Sequence, residues 1–152
     1  MVKKVLNVFF GCSMRGGYTV VSREDLAKLP DVIETLGCHI ISRHQTQPGI
    51  IEQEDALATT RIHDRNYSRM IGSDFGILEI SNSSTGVGSE ISDMIHLKKP
   101  VLCLYQGDEK AISANVRGKE GSAFINTPFE CHAYSTLEEA KDIIARFMEV
   151  HL

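Results

Sequence analysis

The sequence predicts an α/β protein, a doubly wound (Rossmann-like) parallel sheet of four to five strands with helices on both faces. Three observations carry this reading. Short apolar runs alternate with segments of helical spacing along the whole chain. The runs within the first ten residues and at 75–80 are nearly continuous, as expected of central strands covered on both faces. The connections between successive runs are too long for hairpins and long enough for crossover helices, which makes the strands parallel.

Composition places the chain in one class and excludes others. Its 152 residues suit a single domain spanning 1–152, with 42% hydrophobic and 24% charged residues and no repeat or low-complexity tract. A net charge of -4 with scattered Lys and Arg argues against a surface for a nucleic-acid polymer. Lys3-Lys4 lead a short apolar stretch, too short for a signal segment, and no run approaches a membrane span, so a cytoplasmic location is expected. Cys12, Cys38, Cys103 and Cys131 show no C-x-x-C spacing and read as reduced thiols, and the dispersed histidines give no metal-ligand pattern. Neither a metal nor a cofactor is called for.

The elements follow in order. Lys4 to Phe10 is the first strand, ending in the loop Gly11-Cys12-Ser13-Met14-Arg15-Gly16-Gly17, the position at which open α/β sheets hold ligands. Ser22, with Asp25 three residues on, starts a helix that runs to Leu36, is interrupted or kinked at Pro30 and stops at Gly37. Cys38 to Arg43 is the second strand, followed by His44 and a polar loop with Pro48-Gly49. Ile51 to Ser73 lacks Gly and Pro until Gly72 and reads as one long helical region. In it His63 and Asn66, three apart, are expected on one face, and Asp64 on another.

The third strand covers 75–80. Ser81 to Glu90 is then a strand-to-helix turn rich in hydroxyls and glycine, before a helix over Ile91 to Lys98 with Glu90 in its first turn. Glycines let a ligand approach the backbone, and hydroxyls with free helix N–H groups can hold an anion. An anion cradle beside a carboxylate suits a phosphorylated substrate. Val101 to Tyr105 is the fourth strand, Ala111 to Arg117 a short helix or turn, Ser122 to Asn126 and His132 to Tyr134 minor strands, and Thr136 to Val150 a closing helix capped by Thr136 with Glu139.

In a doubly wound sheet the loops after strands one and three face each other across a crevice, so Ser13 to Gly17 and Ser83 to Glu90 are expected to converge. These residues, with His44, Ile62-His63, Gly86-Val87-Gly88-x-Glu90 and Ile112-Ser113-Ala114-x-x-Arg117-Gly118, give the chain a resemblance over nearly its whole length. It resembles the nucleoside 2-deoxyribosyltransferase superfamily, most closely the 2'-deoxynucleoside 5'-phosphate N-hydrolases. The resemblance implies hydrolysis of the N-glycosidic bond of a (deoxy)nucleoside 5'-monophosphate, with no cofactor.

Glu90 falls on the family's nucleophile, which forms a glycosyl-enzyme ester that water resolves. Ser13, Gly16, Ser84 and Gly86 match its phosphate-contacting loops, with Arg15, Gly17, His44 and Gly88 counted among the binding residues. Ser113 matches a serine that reaches the neighbouring subunit's site, which implies a homodimer. The family's aspartate in the long helix is replaced by Asn66, which can orient a sugar but cannot protonate a departing base. His63 is the acid expected to stand in, an imidazole being the side chain that titrates nearest neutral pH. Asn66 keeps two other readings in view: transfer of the deoxyribosyl group to a second base, and a non-catalytic nucleotide sensor or disabled variant.

Overall fold

The computed structural model describes residues 2–152, apart from the side chains of His44 and Gln45. Its sheet has five parallel strands in the order β2-β1-β3-β4-β5: β1 Leu6–Gly11, β2 Cys38–Ile40, β3 Phe75–Glu79, β4 Val101–Tyr105 and β5 Phe129–Ala133. Between them lie α1 Arg23–Thr35, α2 Ile50–Asp55, α3 Thr59–Gly72, α4 Thr85–His96 and α5 Ala114–Arg117, and α6 Leu137–His151 follows the last strand.

Alternation along the strands sorts the core into two layers. Val8 and Phe10 of β1, Phe75 and Ile77 of β3, and Leu102 and Leu104 of β4 pack with Leu26, Leu29 and Ile33 of α1 and with Ala140, Ile144 and Phe147 of α6. On the opposite face Phe9, Leu78, Val101 and Cys103 pack with Met70 of α3 and with Val87, Ile91 and Met94 of α4. Every residue of β3 and β4 is buried, which is why both runs read as strands without alternation. The chain leaves β1 in one direction across the sheet and β3 in the other, so the order reverses at the β1/β3 boundary. The crevice beyond their carboxyl ends is where such a fold holds a ligand.

Four expectations are corrected. The region 51–73 is two helices, broken at 56–58 without Gly or Pro: α2 stops at Asp55, with Ile50 and Glu54 buried, and α3 starts afresh at Thr59 after an extended Ala58. Helix α4 begins at Thr85 rather than Ile91, since Ser84 caps it by accepting from the Val87 N–H at 3.3 Å, and Glu90 therefore lies in the second turn. Residues 122–126 are turns, with the Ser122 hydroxyl accepting from the Phe124 N–H at 3.2 Å. The last strand starts at Phe129, not His132, and pairs with β4 in register. Pro30 is carried inside a single continuous α1.

Candidate active site

Two cavities flank the turn between β3 and α4. The wider, about 580 Å³, is lined by Arg15, Gly16, Ser83, Ser84, Thr85, Gly88 and Ser113 over an apolar floor of Ile80, Val87, Ile91, Ile112 and Val116. The narrower, about 220 Å³, holds Glu90 and Asn66 with Cys12, Met14, Glu54, Ile62, Arg65 and Gly86. Arg15, Ser84 and Val87 belong to both, so the two spaces are halves of one cleft at the topological switch point.

The walls are held closely. Gly16 packs so tightly on the Ser83 carbonyl that a β-carbon there has no room, which joins the loop after β1 to the loop after β3. Asn82 fastens the second loop from behind: its Oδ1 accepts from the N–H groups of Val20 and Val21 at 2.9 and 3.2 Å, and its Nδ2 donates to the Val21 carbonyl at 2.8 Å. The first N–H groups of α4 and the Ser83, Ser84 and Thr85 hydroxyls border the wider half, an arrangement suited to an anion.

Glu90 is the chemically distinct group of the narrower half. Its Oε2 is shielded from solvent and has no hydrogen-bond partner among the described residues. A β-carbon on Gly11 would stand 2.5 Å from that oxygen, so glycine at the end of β1 is what gives the carboxylate its place. Burial first, and then the nearby charge of Asp93, push the Glu90 carboxyl up to about 8. Cys12 lies close by, but burial, together with Glu79 and Glu90, pushes its thiol up to about 12, so it is no thiolate nucleophile near neutral pH.

Helix α3 presents Ile62, Arg65 and Asn66, at spacings of three and four, to the narrower half. His63 lies outside this stripe. Its side chain is 67% exposed, its Nδ1 is 2.9 Å from Asp64 Oδ1, its ring stacks on Tyr67, and it lines neither half of the cleft. The expected common face of His63 and Asn66 is thus corrected: the geometry does not bring this imidazole to Glu90.

The remaining candidates divide cleanly. Arg15, Gly16, Ser84, Gly88 and Ser113 come together in the wider half, and Gly86 lines the narrower. Ser13 is buried behind the loop, donating from its hydroxyl to the Gly17 carbonyl at 3.3 Å, and neither Ser13 nor Gly17 lines the cleft. The side chain of His44 lies outside the described residues. Sequence reading missed Glu54 and Arg65, which pair at 2.5 Å, and Asn82. Helical spacing from Ile62 was the available signal for Arg65; a buried Glu54 on a separate helix left none. No cluster able to hold a metal ion occurs among the described residues, and none of their helices is long and apolar enough to cross a membrane.

Known proteins resemble the chain along most of its length. A Methanosarcina mazei protein assigned as 2'-deoxynucleoside 5'-phosphate N-hydrolase 1 is 32% identical over 142 residues, 93% of this chain and 83% of that protein. A 5-hydroxymethyl-dUMP N-hydrolase of Esox lucius is 32% identical over 126 residues, covering 78% and 83% of the two chains. Among solved structures, the Clostridium botulinum CMP N-glycosidase shares the fold with a TM-score of 0.64 at 14% identity, over 93% of this chain and 98% of that one. No protein-family model matches the chain.

Proposed function

Because the chain belongs to the 2'-deoxynucleoside 5'-phosphate N-hydrolase family, we propose that it cleaves the N-glycosidic bond of a 2'-deoxynucleoside 5'-monophosphate, with Glu90 as nucleophile. The observation that carries this reading is the unpartnered, shielded Glu90 oxygen in the narrower half of a cleft whose other half is lined by hydroxyls and the start of α4. A monophosphate laid across the two halves puts its phosphate against Ser84, Gly88 and Arg15 and its sugar beside Glu90. The carboxylate then attacks the anomeric carbon, the base departs, and water opens the resulting ester, returning Glu90 and releasing deoxyribose 5-phosphate.

The same premise supports a homodimer in which Ser113, an exposed residue, serves the neighbouring site, although Ser113 also lines the wider half of its own chain. Mixing Glu90→Gln chains with Ser113→Ala chains tests this. Base release above the mean of the two parents places Ser113 in the partner's site; no gain assigns it to its own.

The governing experiment incubates the protein with a panel of deoxynucleoside and ribonucleoside monophosphates and their free nucleosides, following free base by chromatography. Release from monophosphates alone is expected, and rapid quenching with mass spectrometry should find a sugar phosphate esterified to Glu90. Ser84→Ala should weaken monophosphate binding about tenfold, the loss of roughly one charge-assisted hydrogen bond, while leaving the nucleoside unaffected. Nucleotide binding without base release from any substrate would leave the sensor reading in its place.

A further inference from the structure

The hydrolase reading leaves one step without a group to perform it. When the N-glycosidic bond breaks, its electron pair leaves with the base, and that charge must meet a proton or a cation. Asn66 is a neutral amide, which donates hydrogen bonds but does not release a proton. His63 lines neither half of the cleft.

Arg65 stands beside Asn66 in the narrower half. Its Nε and Nη2 lie 3.4 and 3.2 Å from Asn66 Oδ1, and its Nη2 donates to Glu54 Oε1 at 2.5 Å. Glu54 is almost wholly buried, its side chain 5% exposed against 26% for Arg65. A buried carboxylate on α2 and an amide on α3 therefore grip one guanidinium from two sides, and all three line the space that holds Glu90. A long cationic side chain held by a buried partner loses its rotamer freedom before a ligand arrives, the preorganisation that makes an electrostatic contact effective. The second cation of the narrower half, Arg15, lies at the surface against Asp55 and is shared with the hydroxyl-lined half. Arg65 belongs to the narrower half alone.

We propose that Arg65, positioned by Glu54 and Asn66, is the leaving-group site of this enzyme: its guanidinium hydrogen-bonds the departing base and stabilises it as an anion in place of a general acid. The proposal rests on the N-hydrolase reading. Glu90 forms a bond to the anomeric carbon as the carbon–nitrogen bond breaks, and the electron pair passes into the base ring and its carbonyl oxygens. Arg65 donates N–H bonds to that charge and keeps its protons. Water then attacks the ester, its hydroxyl going to the sugar, and its remaining proton is returned through solvent to the base. The chemistry selects a base with a carbonyl oxygen next to the glycosidic nitrogen, and most readily one made electron-poor by its substituent.

The test is a leaving-group series. Single-turnover base release is measured for dUMP bearing fluorine, hydrogen or methyl at the 5-position, with wild type, Arg65→Gln, Arg65→Gly, Glu54→Gln and the uncharged pair Arg65→Gln with Glu54→Gln. Arg65→Gln is expected to lower kcat by about 10²-fold with KM changed little, as when one preorganised donor is removed from developing charge. The loss should be greatest for the methyl substrate and least for the fluoro one. Added guanidinium ion should restore part of the Arg65→Gly rate, which only a folded variant permits. Glu54→Gln should cost less, about tenfold, as a positioning residue, and the uncharged pair keeps Glu54 from being left ionised and buried. An Arg65→Gln rate within twofold of wild type, or an equal loss across the three substrates without guanidinium rescue, overturns the assignment. Wild type inactive on all three dUMPs but active on another monophosphate of the panel overturns this inference alone, as does wild type active with Arg65 indifferent; wild type inactive on the whole panel overturns the hydrolase reading and this inference with it.

Discussion

Glu79 ends β3 and Glu90 lies in the second turn of α4, on either side of the same strand-to-helix turn, and burial is the first cause that pushes each carboxyl up. What meets them differs. Glu79 Oε1 accepts from the Ser81 N–H at 2.6 Å and Oε2 from the Tyr134 hydroxyl at 2.9 Å, while the Ser81 hydroxyl accepts from the Gln106 N–H at 2.7 Å. That network ties together the carboxyl ends of β3 and β4 and the segment after β5. Glu90 has one oxygen with no partner among the described residues, and Asp93 adds repulsion. Desolvation alone therefore does not mark a reactive carboxylate. What sets Glu90 apart is desolvation that the fold leaves uncompensated, which is the basis for proposing it as the nucleophile.

The largest expected effect breaks the pair apart in turnover. Glu90→Gln should remove base release below detection, since Glu54, the other carboxylate lining the narrower half, is held in its ion pair with Arg65. Glu79→Gln, which keeps the shape of the brace, should lower the rate by about tenfold or less. Equal losses, measured by quenched chromatography under identical enzyme concentrations, would mean that the two glutamates do not divide into brace and nucleophile.

The next effect is in pH. Under the proposed mechanism, a Glu90 carboxyl pushed up to about 8 is mostly protonated at pH 6 and attacks only as it ionises. Below that value kcat/KM should climb about tenfold per pH unit and level off above it. The Glu79→Gln form should keep the same climb. A profile already flat between pH 6 and 8 would show that the free enzyme holds Glu90 ionised.

How much of this was legible follows from the same physics. Strands β1, β3 and β4 read directly because both faces are covered, so nearly every residue is apolar. The convergence of the two loops followed from the reversal of strand order, and the Gly16 contact with Ser83 realises it. The start of α4 was hidden, for Thr85-Gly86-Val87-Gly88-Ser89 has low helix propensity and is helical through the Ser84 cap and the burial of Val87 and Ile91. The break at 56–58 carries no Gly or Pro. Glu54 and Arg65 meet because two helices pack, and no period within either helix encodes that meeting.

A smaller effect bears on stability at fixed pH. Tyr134→Phe removes one donor from the buried Glu79, and a buried oxygen left without its partner costs about 1–3 kcal/mol. For a domain of this size that is a fall of roughly 2–12 °C in Tm, since about 2–4 °C accompanies each kcal/mol. Glu90→Gln should not show a comparable loss at pH 7, because the shielded oxygen has no hydrogen bond to a described residue that the change could break.

The smallest and sharpest difference is in how stability changes with pH. Between the ordinary carboxyl value of 4.5 and about 8, folded Glu90 keeps a proton that the unfolded chain has released. Its contribution is complete below 4.5, is lost as pH rises through that window, and stays lost above about 8, because the unfolded state binds fewer protons throughout. Glu90→Gln has no such proton to lose. The Tm of Glu90→Gln relative to wild type should therefore rise steadily from pH 5 to pH 8 and stop rising beyond it, the contribution of Glu79 being common to both forms and cancelling. A relative Tm that does not change with pH, followed by circular dichroism in matched buffers, would mean that Glu90 ionises in the fold as easily as in the unfolded chain. The comparison with Glu79 would then rest on hydrogen bonding alone.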